Sequence, residues 1–85
     1  MKNTNRQLTV YAKEECHLCE AMAVTLQAFS SDLSFTFSVI YIDRDPELLE
    51  RYGARVPVLA AADRELCEFE LDLVSLKDYL GKISD

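Results

Sequence analysis

An α/β domain of order β-α-β-α-β-β-α, with four strands in one mixed sheet and helices on both faces, is predicted from three observations. Apolar residues alternate at period two from Gln7 to Ala12 and recur at helical spacing from Cys16 onward. A second strand-to-helix change falls at Asp43-Arg44-Asp45-Pro46. Two short strand-like runs, separated by a hairpin-length gap, then precede a closing amphipathic stretch. A right-handed crossover sets the first two strands parallel and adjacent, and the hairpin completes the sheet.

The first strand, Gln7 to Ala12, places Leu8, Val10 and Ala12 on one face, with Tyr11 a candidate for cover on the other. From Cys16 the period changes. Cys19, Met22, Ala23, Leu26, Phe29 and Leu33 form one stripe, which predicts a helix from about Cys16 to Ser31, broken by Ser30, Ser31 and Asp32. Ser34 to Ile42 is rich in β-branched and aromatic residues. Phe35, Phe37, Val39 and Tyr41 alternate on one side while Ile40 and Ile42 thicken the other, the pattern of a strand in a sheet covered on both faces. Asp45 is the expected N-cap of a short helix, Pro46 its first residue, and Gly53 its end. Strands at Pro57 to Ala61 and Glu65 to Glu70 are joined through Ala62-Asp63-Arg64. Leu73, Leu76, Leu80 and Ile83 mark the closing helix, with Asp72 its N-cap.

Eighty-five residues allow one domain, 1–85, with a modest core. The longest apolar stretch, Val56 to Ala62, contains a proline and falls far short of the ~20 residues of a membrane span. Met1 to Arg6 leads into the first strand without the apolar centre of a secretory signal, so a cytoplasmic location and no membrane partner are expected. A net charge of −6 argues against nucleic acid, which demands clustered basic side chains. The acids are spread along the chain as a solvated surface, with a basic protein partner as their other use. A monomer is expected. Three cysteines do not make an even-numbered disulfide framework, and in a reducing compartment a pair at close spacing is catalytic or metal-binding. Zinc needs four converging ligands, and the adjacent Cys16 and His17 converge poorly with Cys19 and Cys67, so no metal is expected.

Cys16-His17-Leu18-Cys19 stands where the strand pattern gives way to the helical one. Two cysteines three apart at a helix start can close a reversible disulfide across one turn. The unpaired N–H groups and the dipole there favour a thiolate on the first. Cys16 then lies at the exposed tip and Cys19 one turn in, on the core-facing stripe: an attacking thiolate beside a shielded resolving thiol. The alternative is an inert pair of packed thiols. His17, as imidazolium, supports the thiolate with an effect that fades above neutrality, or else faces solvent with little effect. Lys13 adds positive charge near Cys16, or is an ordinary loop lysine. Glu14 and Glu15 push the other way, which favours reductant or isomerase-like exchange over strong oxidation. Cys67 is a small buried hydrophobe or a regulatory thiol. Val56-Pro57 opens a later strand, where a proline beside a dithiol can shape a docking edge for another chain.

The run from Val10 to Cys19, V-Y-A-K-E-E-C-H-L-C, resembles the glutaredoxin pattern V-Y-x-K-x-x-C-x-x-C. Tyr41-Ile42-Asp43-Arg44-Asp45-Pro46, followed by Arg55-Val56-Pro57-Val58, resembles the stretch leading to that family's cis-proline. Over nearly its whole length the chain is similar to a bacterial glutaredoxin-like family of the thioredoxin superfamily. The resemblance implies the thioredoxin fold in its glutaredoxin size, a cis peptide before Pro57, and a Val56 main chain that faces the dithiol and pairs with an extended substrate as an added strand. It also implies a Lys13 contact to a substrate carboxylate. The activity implied is thiol–disulfide exchange, with Cys16 as nucleophile and Cys19 as resolving thiol. Its substrate is a disulfide-containing protein or a glutathione mixed disulfide. No cofactor is bound, and electrons come from glutathione or a thioredoxin-reductase-type donor.

Four departures stand out. His17-Leu18 replaces the common Pro-Tyr dipeptide, and Glu15 occupies the position of thioredoxin's tryptophan. Arg55 replaces a threonine, either choosing an acidic partner or serving as a surface arginine. Cys67 to Asp72 lacks the Gly-Gly-x-x-Asp that holds glutathione, and only Asp72 echoes it, which leans away from efficient glutathione use. The rival from another functional class is a non-catalytic binding module that keeps the fold as an adaptor.

Overall fold

The computed structural model describes residues 6–62 and 64–83. Met1–Asn5 (read above as lacking a secretory leader), Asp63 of the hairpin connection and the Ile83 side chain lie outside the described residues. The elements are β1 (Gln7–Ala12), α1 (His17–Leu33), β2 (Thr36–Tyr41), α2 (Pro46–Tyr52), β3 (Val58–Ala60), β4 (Glu65–Glu68) and α3 (Leu73–Ile83). The sheet order is β2-β1-β3-β4, with β1 parallel to β2 and antiparallel to β3, and β4 antiparallel to β3. This is the mixed sheet predicted from the sequence.

The sheet separates two hydrophobic clusters. On one face Leu8, Val10 and Ala12 of β1 meet Cys19, Met22 and Leu26 of α1 and Leu76, Tyr79 and Leu80 of α3. On the other, Tyr52 of the shorter α2 is buried against Ile42 and Val58, with Tyr11 stacked on Tyr52 at 4.1 Å between ring centroids. Tyr11 is thus covered by one aromatic ring, and burial pushes the Tyr52 phenol above its ordinary pKa.

The serine run does not end α1 at Ser31. The helix continues to Leu33 because Ser34 takes a left-handed conformation, φ 58°. Ser34 N–H then reaches Ser31 O at 3.2 Å and Phe35 N–H reaches Ser30 O at 3.0 Å, a Schellman-type end that buries Phe35. The Arg6 guanidinium caps the same end, donating to the carbonyls of Ser34 and of Leu33 (2.6 Å) and reaching Leu80 O of α3. A cation at a helix C-terminus is favourable for both its charge and its donors.

β2 is therefore shorter than expected, and it lies at the sheet edge. Ile40, paired with Tyr11, is exposed on the side of α2, which is too short to reach over the outer strand; Tyr41, paired with Ala12 and so on the face of α1, is 58% exposed at the end of that edge strand. Gly53 ends α2 with a right-handed φ of −54° rather than a left-handed one. Its need for glycine is steric: a Cβ there would collide with the Leu49 carbonyl oxygen. β4 stops at Glu68, two residues early, because Phe69 turns into the left-handed region at φ 70°. Asp45 and Asp72 cap α2 and α3 as expected, each accepting from two backbone N–H groups. Among the described residues, no helix is long and apolar enough to cross a membrane.

Candidate functional site

The end of β1 and the start of β3 form one rim of the sheet. The antiparallel register pairs Tyr11 with Val58, and continuing it by one residue sets Pro57 across from Ala12. The loop that leads from β1 into α1 therefore lies beside the loop that enters β3. This topology brings Cys16 and Val56-Pro57 to the same end of the molecule, and both Cys16 and Val56 pack against the larger cluster.

Cys16 is the N-cap of α1, with extended backbone angles (φ −123°, ψ 109°). Its sulfur accepts the Cys19 N–H at 3.2 Å, the position a capping oxygen usually takes. Cys16 and Cys19 are joined as a disulfide with Cα atoms 5.2 Å apart. Cys16 is half-buried, whereas Cys19 is 4% exposed on the core stripe. The entry to the helix is fixed from both sides. Glu15 sits in the left-handed region at φ 54°, and the Asp43 carboxylate accepts Glu14 N–H at 3.0 Å. Asp43 was read from sequence only as part of a helix start, so this anchor escaped notice; its partner is 29 residues away.

The remaining candidates divide. His17 is exposed at the first position of α1. Lys13 lines a groove of about 530 Å³ together with Cys19, and Glu14, Glu15 and Glu20 share that groove. Its positive charge thus faces three carboxylates. The Val56–Pro57 peptide is cis, and Pro57 is fully buried. Pro57 O accepts Phe69 N–H at 2.8 Å, while among the described residues the Val56 N–H and C=O have no backbone partner.

Arg55 is neither free to select an acidic partner nor a plain surface arginine. It donates to Glu65 at 2.7 and 3.1 Å, to Glu68 at 3.0 Å and to Arg51 O at 3.0 Å. These hydrogen bonds raise the guanidinium pKa and hold the Glu65 carboxyl below its usual range. The segment before the cis peptide is thereby tied to β4. Asp72 accepts from Ser75 and Val74, which lowers its pKa, and so serves α3. Cys67 is half-buried on β4, and burial pushes its thiol up. Among the described residues, no group of three or more potential ligands could hold a metal ion.

A four-stranded mixed sheet, a helix opening on Cys16-x-x-Cys19 and a cis-proline at the facing strand define the thioredoxin/glutaredoxin-like class of fold. The sequence profile described as "Glutaredoxin-like domain (DUF836)" matches residues 7–81, and the chain belongs to that family. Among solved structures it is similar to a Nitrosomonas europaea protein determined by NMR, with 41% identity and a TM-score of 0.81 over 93% of this chain and 98% of that one. An X. campestris protein solved by X-ray diffraction is 37% identical, with a TM-score of 0.67 over 88% and 96% of the two chains. The glutaredoxin-like NrdH-redoxin of Escherichia coli, described as having a thioredoxin-like activity profile, shares the fold at 24% identity and TM-score 0.58, covering 93% and 96%. No curated protein matches the chain significantly.

Proposed function

We propose that this protein is a small thiol–disulfide oxidoreductase that uses the Cys16/Cys19 dithiol to reduce disulfides of partner proteins. The observation that carries the reading is the Cys19 N–H on the Cys16 sulfur at a helix N-terminus, with Cys19 itself shielded on the core side. A hydrogen bond and a helix dipole directed at one sulfur stabilise its anion, and only the thiolate is a competent nucleophile.

In the reaction, the Cys16 thiolate attacks one sulfur of the substrate disulfide, forming a mixed disulfide and releasing the other sulfur as a thiolate. Cys19, deprotonated, then attacks the Cys16 sulfur, and the second substrate sulfur leaves. The substrate gains two electrons and the protein ends as the Cys16–Cys19 disulfide. Two molecules of glutathione, which leave as glutathione disulfide, or a reductase of the thioredoxin-reductase type, restore the dithiol. The Val56 main chain beside cis-Pro57, without a backbone partner among the described residues, is the edge along which an extended substrate pairs. Lys13 supplies positive charge on the substrate side, and His17 stands exposed beside the dithiol. Phe69 to Asp72 carries no glycine, and Asp72 is engaged as a helix cap, so protein disulfides suit the site better than glutathione mixed disulfides. A reducing, cytoplasmic setting fits a lone exchangeable pair.

The test is a redox titration in defined ratios of reduced to oxidised glutathione, trapped by alkylation and read by intact mass. The expected result is loss of two hydrogens confined to Cys16 and Cys19, with a midpoint in the roughly −270 to −180 mV range of dithiol carriers. Cys16→Ser abolishes exchange, and Cys19→Ser arrests it at the mixed disulfide. Unreactive thiols across the whole range in folded protein would overturn the reading in favour of an adaptor.

A further inference from the structure

On the side of α1 away from Lys13 a second groove, about 390 Å³, runs between the helix and the β4–α3 connection. Leu18, Thr25 and Phe29 form one wall and Phe69, Glu70 and Leu71 the other. Leu18, which stands between the two cysteines in the chain, lines it at one end, and it extends to Phe29, eleven residues or about 16 Å along the helix. That length matches about five residues of extended chain. Leu18 and Phe69, 46% and 44% exposed, are large apolar side chains left open at its mouth. Phe69 is presented there by a left-handed backbone, a conformation unfavourable for a bulky residue and available without strain to glycine.

Among the residues that line the groove, Glu70 is the charged one. α1 contains Glu20 and Asp32 but no lysine or arginine, and residues 65–72 contain four carboxylates and no basic residue. Glu65 and Glu68 share Arg55, and Asp72 caps α3; Glu70 is the carboxylate that lines the groove. An anionic peptide or a second copy of this chain, of net charge −6, meets repulsion here.

We propose that this groove receives a short extended segment next to the disulfide of a partner protein, with an apolar side chain seated between Leu18 and Phe69 and a lysine or arginine facing Glu70. The inference rests on the oxidoreductase reading and adds the substrate class to it: cationic, apolar protein segments.

The test uses the full chain and a fluorescein-labelled hexapeptide in which leucine and arginine adjoin a serine standing in for the reactive cysteine. A control peptide carries serine and glutamate in place of the leucine and arginine. Fluorescence anisotropy at low salt is expected to show the first bound at least about tenfold more tightly, the scale of one buried apolar side chain plus a charge pair. Phe69→Gly, which suits a φ of 70°, removes most of that preference. Glu70→Lys, on an exposed residue, reverses the arginine-over-glutamate preference. Equal binding of both peptides, or a preference indifferent to both variants, overturns the proposal. So does a dimer in analytical ultracentrifugation that Phe69→Gly dissolves, which would assign the groove to a second copy. Exchange with the small neutral disulfide of mercaptoethanol is measured alongside. Its absence in the parent protein, with peptide binding retained, would overturn the oxidoreductase reading and leave the groove's ligand class standing.

Discussion

The guanidinium of Arg55 grips Glu65 through two parallel hydrogen bonds, Nη1 to Oε1 at 2.7 Å and Nη2 to Oε2 at 3.1 Å. Arg55 precedes the cis peptide by one residue, so this fork fixes the backbone that presents Val56. Lysine cannot reproduce a two-bond fork. Arg55→Lys is therefore expected to slow exchange with a protein disulfide several-fold while leaving the small disulfide of mercaptoethanol untouched. Stopped-flow rates with the two substrates check this; equal slowing of both would assign Arg55 to stability alone.

The same fork makes stability depend on acid. Glu65 and Asp72 both have pKa values below their ordinary range in the folded protein, Glu65 through Arg55 and Asp72 through Ser75. Their stabilisation is complete above the unfolded carboxylate range, about 4, and is lost as pH falls through the lower folded values. Tm is expected to fall on acidification through that window. Glu65→Gln is expected to start lower at neutrality and to lose less across it, measured by circular dichroism.

Asp43 gives the loop before the dithiol its only carboxylate anchor among the described residues. Asp43→Ala frees Glu14 N–H and loosens the entry to α1. The expected outcome is a roughly tenfold slower attack by Cys16, the cost of about 1.4 kcal/mol in positioning, with far-ultraviolet circular dichroism unchanged. An unaltered rate would show that Cys16 is held by its helix alone.

After reduction, Cys16 and Cys67 are expected to separate by reactivity. Burial raises the Cys67 thiol even though its sulfur accepts Asp72 N–H at 3.4 Å, whereas the Cys16 sulfur accepts Cys19 N–H at 3.2 Å at the N-terminus of α1, where the helix dipole favours the thiolate. Iodoacetamide followed by mass-mapped digestion is expected to label Cys16 first at neutral pH. Faster labelling of Cys67 would contradict the assignment of the nucleophile.

Leu26 is fully buried where α1 crosses β1. Leu26→Ala is expected to cost about 3 kcal/mol in urea unfolding, a large share of a small domain's stability. A loss under about 1 kcal/mol would mean that the larger cluster collapses readily around the cavity.

Periodic features were legible in the sequence. Alternation in β1, the stripe of α1, the aspartate caps of α2 and α3 and the element order all depend on near neighbours, and they stand in the structure. The cis peptide at Pro57 came from resemblance, since local chemistry favours trans. What escaped were contacts between residues far apart in the chain. Arg6 meets Leu33 across 27 positions and Asp43 meets Glu14 across 29. A serine run that reads as a helix breaker was overruled by a left-handed Ser34, which lets Phe35 reach the core. The exposure of Tyr41 followed from its place at the end of an edge strand, which is not written in the alternation of β2 itself.

The division of the interior by the sheet has a consequence for how the molecule breathes. Among the described residues, the cluster under α2 rests on three buried residues and a seven-residue helix, against eleven buried residues on the side of α1 and α3. Amide protons of α2 are therefore set to exchange with solvent before those of α1. Val56 touches both clusters. The edge offered to a partner can thus adjust with the yielding half, while the helix that carries the sulfurs keeps its aim.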